Sequence, residues 1–164
     1  MKILKILDEK LEEYLMVAMV MLMTALIFIQ VIMRYIFGNS LAWSEELSRY
    51  LFLWSIWLGA SYGIKTQGHI RLTVLTSRLS PRIQDIVGVI VYIIWFLFVL
   101  FLVVKGYELV AKIYVSGQTS IALRLPMWIA YASVPVGCTL MSFRMLQNEY
   151  QVFKNRKGKK EVTE

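Results

Sequence analysis

The chain has 164 residues, 58% apolar and 18% charged, with a mean hydropathy of +0.59 and its apolar residues gathered in blocks. That excludes an ordinary soluble domain with one large core and points to an all-α integral membrane protein. A net charge of +7 would suggest nucleic acid in a soluble protein, but the basic residues cluster between and after the apolar blocks, so the expected partner is anionic membrane lipid and not nucleic acid.

Residues 1–13 alternate leucine or isoleucine with charge at a helical period, which predicts a short amphipathic helix on the membrane surface. Tyr14 to Met33 then runs twenty residues without a charge, enough to span. No signal-peptide cleavage pattern accompanies this block, so it is expected to remain as a membrane helix. Gly38, Asn39 and Ser40 supply turn chemistry.

The stretch WSEELSRYLFLWSIWLGASYG, Trp43 to Gly63, is the most informative. Its apolar part, Tyr50 to Ile64, reaches only about 22 Å at about 1.5 Å per residue, short of a hydrocarbon core of roughly 30 Å. A spanning helix must therefore include the charged first turns. Glu45 and Glu46 precede Arg49 by four and three residues, which allows pairing on one helical surface. Arg34 lies equally far from the turn on the other side, so the hairpin is expected to hold two acids and two bases. Ser44 is placed to cap this helix, with both acids at its positive end. Ser55, Gly59 and Gly63 form a small-residue stripe of the kind that admits a second helix closely, with Trp54 and Trp57 offset from it. The block reads either as a helix with an interfacial ion-pair anchor or as a docking face for another membrane subunit.

Lys65 to Arg82 predicts an interfacial helix ending before Pro81. His69, the chain's one histidine, lies in this basic connection and reads as a surface residue. Ile86 to Val104 is the third span, and helical character continues from Lys105 to Tyr114 until Ser116, Gly117 and Gln118 break it. Pro126 suits the first turn of the fourth span, which runs to Phe143, with Trp128 and Tyr131 as interfacial anchors and a kink expected near Pro135 and Gly137. The spans are thus about 14–36, 43–64, 84–104 and 126–143, in one membrane domain over 1–150. A basic tail over 151–164, containing KNRKGKK, reads as a topology and lipid-surface signal.

Thirteen lysines and arginines fall on the side holding both termini and the second connection, against at most five opposite. The positive-inside rule then makes both termini cytoplasmic. No enzyme constellation is present: one histidine cannot make a bis-histidine haem, and Walker and Rossmann glycine patterns are missing. Cys138 stands alone in an apolar stretch, without CxxC-type metal spacing, so no metal, cofactor or catalytic residue is expected. Four spans without a central ionisable group read as a scaffold or accessory subunit.

The order VIMRYIFG, WSEELSRYLFLWSIWLGASYG, GHIRL and SIALRLPMWIAYASVPVG over roughly residues 10–150 resembles the small, Q-type membrane subunit of tripartite ATP-independent periplasmic (TRAP) transporters. The resemblance implies an inner-membrane protein that braces a large, sodium-driven M-type elevator subunit. That subunit would import organic acids, such as C4-dicarboxylates or sialic acid, delivered by a periplasmic binding protein. It also implies a separate small subunit, not a fusion. The candidate partner-facing residues are Arg34, Trp43, Glu45, Glu46, Arg49, Ser55, Gly59 and Gly63. The alternative is a four-helix anchor or assembly subunit of another membrane complex, such as a respiratory enzyme.

Overall fold

A computed structural model describes residues 2–67 and 80–161. Its helices are α1 (Lys2–Tyr35), α2 (Ala42–Gln67), α3 (Pro81–Ser116), α4 (Trp128–Tyr131) and α5 (Ser133–Glu161). Among the described residues the fold is all-helical apart from one isolated antiparallel bridge, Thr119 to Pro126. The expected interfacial helix over 65–82, with His69 and GHIRL, lies largely at 68–79, outside the described residues. Its flanks belong to α2 and α3.

Each helix boundary has a local cause. Gly38 has φ 64° in the turn after α1, a conformation glycine adopts without strain. Pro81 opens α3, where its missing N–H costs nothing. Gly117, at φ 64°, closes α3 by donating its N–H to the Tyr114 carbonyl, as left-handed C-caps do. The kink expected near Pro135 occurs as a break at Ala132 between α4 and α5. Proline cannot donate to the carbonyl four residues back, so the preceding turn is released.

Two local expectations change. Residues 2–35 form one continuous helix instead of a surface helix followed by a span. No glycine or proline interrupts them, and both acids at the junction are engaged with the bundle, Glu12 with Arg144 and Glu13 with Tyr62. Ser44 is not the cap of α2. The helix begins at Ala42, and the buried Ser44 hydroxyl donates back to the Leu41 carbonyl at 2.8 Å.

The long helices pack as a row in the order α1, α2, α5, α3, with α4 against α3, α5 and α2. In the most apolar 18-residue stretch of Trp128–Tyr150 half of the residues are buried, against 6% in those of Glu12–Tyr35 and Ile86–Ser116. The core therefore sits around α5, where Val99, Cys138, Met141 and Met145 meet Trp57, Ala60, Phe96 and Val103. Cys138 is a fully buried packing residue. At Gly137, α5 comes close to α2. A side chain at Gly137 would place its Cβ 2.5 Å from that of Trp57, so the residue's smallness sets the helix separation.

Among the described residues, three segments are long and apolar enough to cross a membrane: Glu12–Tyr35, Ile86–Ser116 and Trp128–Tyr150. The α2 helix is not among them. Its 26 residues reach about 39 Å, ample length, but its charged first turns and its tryptophans, serines and glycines dilute its apolar character.

Candidate membrane-subunit interface

The charged hairpin is built differently from the symmetric quartet its sequence suggests. Arg49 and Glu45 pair at 2.9 Å across one helical turn, both largely exposed at 64% and 60%. Glu46 turns away from them. Its Oε2 accepts the backbone N–H groups of Ala122 and Leu123, each at 3.0 Å, and its Oε1 accepts the Tyr50 hydroxyl at 3.4 Å. Arg34 stays exposed in the last turn of α1, where its charge complements the helix dipole, and among the described residues no ion pair joins it to Glu46. A carboxylate holding two amide donors in this way is a clamp on the connection between α3 and α4.

That connection is ordered by further bonds. Ser120 donates its N–H to the Leu125 carbonyl at 2.8 Å, Leu125 donates to the Ser120 hydroxyl at 3.3 Å, and Met127 donates to the Gln118 carbonyl at 3.0 Å. Arg124 takes a positive φ of 54°, uncommon for a non-glycine residue. The clamped loop leaves Ile121 almost fully exposed. Between loop and helix lies an open, shallow cleft bounded by Ala42, Glu45, Glu46, Arg49, Ile121 and Ala122.

Further along α2, the small stripe divides. Gly59 lies against the Met16 sulfur of α1, whereas Gly63 has open space where a Cβ would go. Ser55 donates its hydroxyl to its own helix at the Phe52 carbonyl. The offset tryptophans face inward: Trp57 joins the core, and the Trp54 indole donates to the Ile129 carbonyl at 3.2 Å. Trp43, Phe52 and Ile56 remain 43–49% exposed. Glu45, Arg49, Phe52, Ile56 and Gly63 thus follow one side of α2 at helical spacing, and this side is left open. Trp128 stacks edge-on against Tyr114 at 6.0 Å, and Tyr131 is partly exposed beside it.

At the opposite end of α2, sequence reasoning missed a second polar cluster. Arg144 donates to Glu12 Oε1 through Nη2 at 2.8 Å and Nε at 3.1 Å, with both side chains only 7% exposed. Its Nη1 donates to Gln147, while Asn148 donates to the Ile64 carbonyl at 2.6 Å and the Tyr62 hydroxyl to Glu13 at 3.3 Å. These bonds join α1, α2 and α5. Glu12 and Arg144 are 132 residues apart, so no spacing could announce the pair. The available signal was an acid one residue before an apolar block and a base directly after another. No group of three or more metal-ligating side chains occurs among the described residues.

Residues 23–155 match the family described as tripartite ATP-independent periplasmic transporters, DctQ component. The chain is 36% identical over 110 residues to a C4-dicarboxylate TRAP transporter small permease protein, DctQ, of Rhodobacter capsulatus, covering 67% of this chain and 48% of that one. It is 31% identical over 148 residues to an isethionate TRAP transporter permease protein, DctMQ, of Oleidesulfovibrio alaskensis, covering 87% of this chain but 23% of the relative. A sialic acid TRAP transporter small permease protein, SiaQ, of Vibrio cholerae is 24% identical over 154 residues, covering 94% and 88%. The chain thus spans about half or less of the first two relatives' length and most of the third. With the family match covering most of the chain and its long apolar helices, it belongs to the DctQ-component family of TRAP transporters, as a small permease subunit.

Proposed function

We propose that the chain is the non-catalytic partner of a large M-type permease subunit, which it braces in the inner membrane during sodium-driven import of an organic acid brought by a periplasmic binding protein. The observation that carries this reading is the DctMQ relative, in which the matched region makes up 23% of a longer permease polypeptide. A domain that shares a polypeptide with a permease in one organism is expected to pack against one here too. C4-dicarboxylates, sialic acid and isethionate in the relatives' names support an organic acid as the substrate, and the selecting residues would lie on the other subunits.

In this reading α2 also crosses the membrane, despite its lower apolarity, because it lies between α1 and α5 in the row. Both termini are cytoplasmic, and the clamped loop and charged hairpin face the periplasm. The open side of α2, with Glu45, Arg49, Phe52, Ile56 and Gly63, is the face offered to the large subunit. Arg34 and Glu46 flank it, Trp43 stays exposed at the start of α2, and Ser55 and Gly59 lie toward the internal α1 contact.

Coexpression with an M-type large permease from the same organism, followed by affinity capture of either partner, tests the reading. A stoichiometric complex that restores acid uptake in sodium-loaded proteoliposomes with the binding protein supports it. Uptake by the large subunit alone at the same rate overturns the bracing role.

A further inference from the structure

Among the described residues, three buried side-chain oxygens have no hydrogen-bond partner: Glu12 Oε2, Ser61 Oγ and the Tyr92 hydroxyl. All three lie toward the end of the bundle that holds the Glu12–Arg144 pair; Gly106 meets Pro135 across the antiparallel α3 and α5, which makes Tyr92 level with Glu149. At the opposite end the buried hydroxyls of Ser44, Ser48 and Ser133 are all paired. Ser61 departs from a rule that the rest of the chain keeps. Every other serine and threonine in the described helices donates its hydroxyl to a carbonyl three or four residues back, the usual local bond for a hydroxyl inside a helix. Ser61, at 0% exposure, makes no such bond. Glu12 is used unevenly as well: both of its bonds from Arg144 go to Oε1, and Oε2 accepts nothing although the residue is only 5% exposed.

Helix register brings Ser61 and Glu12 to one layer. On α2, Ser61 falls between Trp57, which meets Gly137, and Ile64, whose carbonyl accepts from Asn148, so it lies on the side that packs against α5. Arg144 falls between the same two contacts on α5. On the α1 side, Met16 meets Gly59 and Glu13 meets Tyr62, which sets Glu12 within about two residues, about 3 Å, of Ser61 along the bundle axis. The long Arg144 side chain reaches from α5 to the Glu12 carboxylate, and the short Ser61 side chain does not. We propose that a water molecule is bound between Glu12 Oε2 and Ser61 Oγ, donating to the carboxylate and bonded to the hydroxyl, as a fixed part of the joint between α1, α2 and α5. A buried water needs about two to four polar partners, and these oxygens supply two. The ligand is neutral because the guanidinium repels a cation and the carboxylate repels an anion. It removes the cost of a buried acceptor left unmet, and a buried ionic network holds best when each member is satisfied. The site lies inside the bundle, away from the open side of α2, so failure to capture a large subunit leaves it standing.

Water-edited solid-state NMR tests it on the full-length, isotope-labelled chain in phosphatidylethanolamine–phosphatidylglycerol vesicles, by following how fast polarisation passes from water protons to assigned carbons. Ser133 and Ser142 are the internal controls, because their hydroxyls are equally buried but bonded to backbone carbonyls. The Glu12 Cδ and Ser61 Cβ signals should build up several-fold faster than the Cβ signals of these two serines. Equal build-up at all four positions overturns the site, whether the two oxygens are dry or meet each other directly. Ser61→Val removes the hydroxyl and fills its space, so Glu12 Cδ should slow to the rate of Ser133. Undiminished transfer to Glu12 in that variant overturns the bridge by showing that its water comes from elsewhere. Should Ser61→Val not insert, the comparison within the parent chain decides by itself. Exchanging sodium for choline in the buffer should leave the Glu12 Cδ shift unchanged, and a displaced shift would make the occupant a cation and overturn the water.

Discussion

The chain contains two acid–arginine pairs that look alike chemically and differ in every physical respect that matters. Glu12–Arg144 links helices 132 residues apart and is 7% exposed on both sides, whereas Glu45–Arg49 spans one turn of a single helix and is largely exposed. The first is wrapped in Gln147, Asn148 and Tyr62, and the second borders an open cleft. A buried pair stabilises only while both partners and their hydrogen bonds are kept, since removing one strands a desolvated charge. An exposed pair contributes little to folding and remains available to something outside the chain. One end of the molecule is therefore closed by its charges and the other is left open.

The largest effect should come from breaking the closed end. Arg144→Ala leaves Glu12 buried without its cation, a loss of about 3–5 kcal/mol, and is expected to lower the midpoint of thermal unfolding in detergent sharply. Joint replacement, Glu12→Leu with Arg144→Met, should recover most of that loss. If the double variant is as unstable as the single one, the pair is not what holds α1 to α5.

Next in size is the apolar seam. Gly137→Ala forces a Cβ to within 2.5 Å of Trp57, and overpacking of this kind costs about 1–3 kcal/mol. Gly63→Ala, with open space around it, should leave unfolding unchanged. Matching losses in the two variants would mean that α2 and α5 are less closely packed than described.

A smaller and local effect is expected at the clamp. Glu46→Gln keeps the shape but weakens the charge-assisted acceptance from Ala122 and Leu123, while Glu46→Ala removes it. Amide exchange at residues 120–125 should rise in that order with the unfolding midpoint nearly constant. Unchanged exchange would show that the Thr119–Pro126 bridge orders the loop alone.

These contrasts also mark what a sequence can carry. Apolar runs of about twenty residues made three spans legible, and the turn at Gly117 and the break ahead of Pro135 followed from backbone chemistry. The Glu45–Arg49 pair was legible because its partners are four residues apart. The fate of Glu46 was not: its acceptor role depends on backbone amides 76 and 77 residues away, and Arg49 offered a plausible local alternative. The helix row hid the working glycines in the same way. Gly59 was picked out by its spacing and meets Met16, but Gly106 and Gly137 set helix approach through contacts with Pro135 and Trp57, which only tertiary packing reveals.

The smallest effect on stability should come from the open pair, and this makes it the most informative variant for function. Arg49→Ala and Glu45→Ala each remove an exposed interaction expected to contribute at most about 1 kcal/mol, so both should insert and unfold almost as the parent does. If the pair belongs only to α2, the double variant should match the singles in capture of the large subunit, and all three should transport normally. If the pair meets the large subunit or the incoming binding protein, each single variant should lose capture or uptake several-fold at unchanged stability, and the double variant should be at least as defective as the worse single one. Arg49→Lys separates charge from geometry, because it keeps the cation but not the planar two-pronged donor of arginine. Normal capture and uptake in all of these variants would reduce the pair to helix-surface chemistry and move the search for the partner face to the apolar sides of α1 and α3.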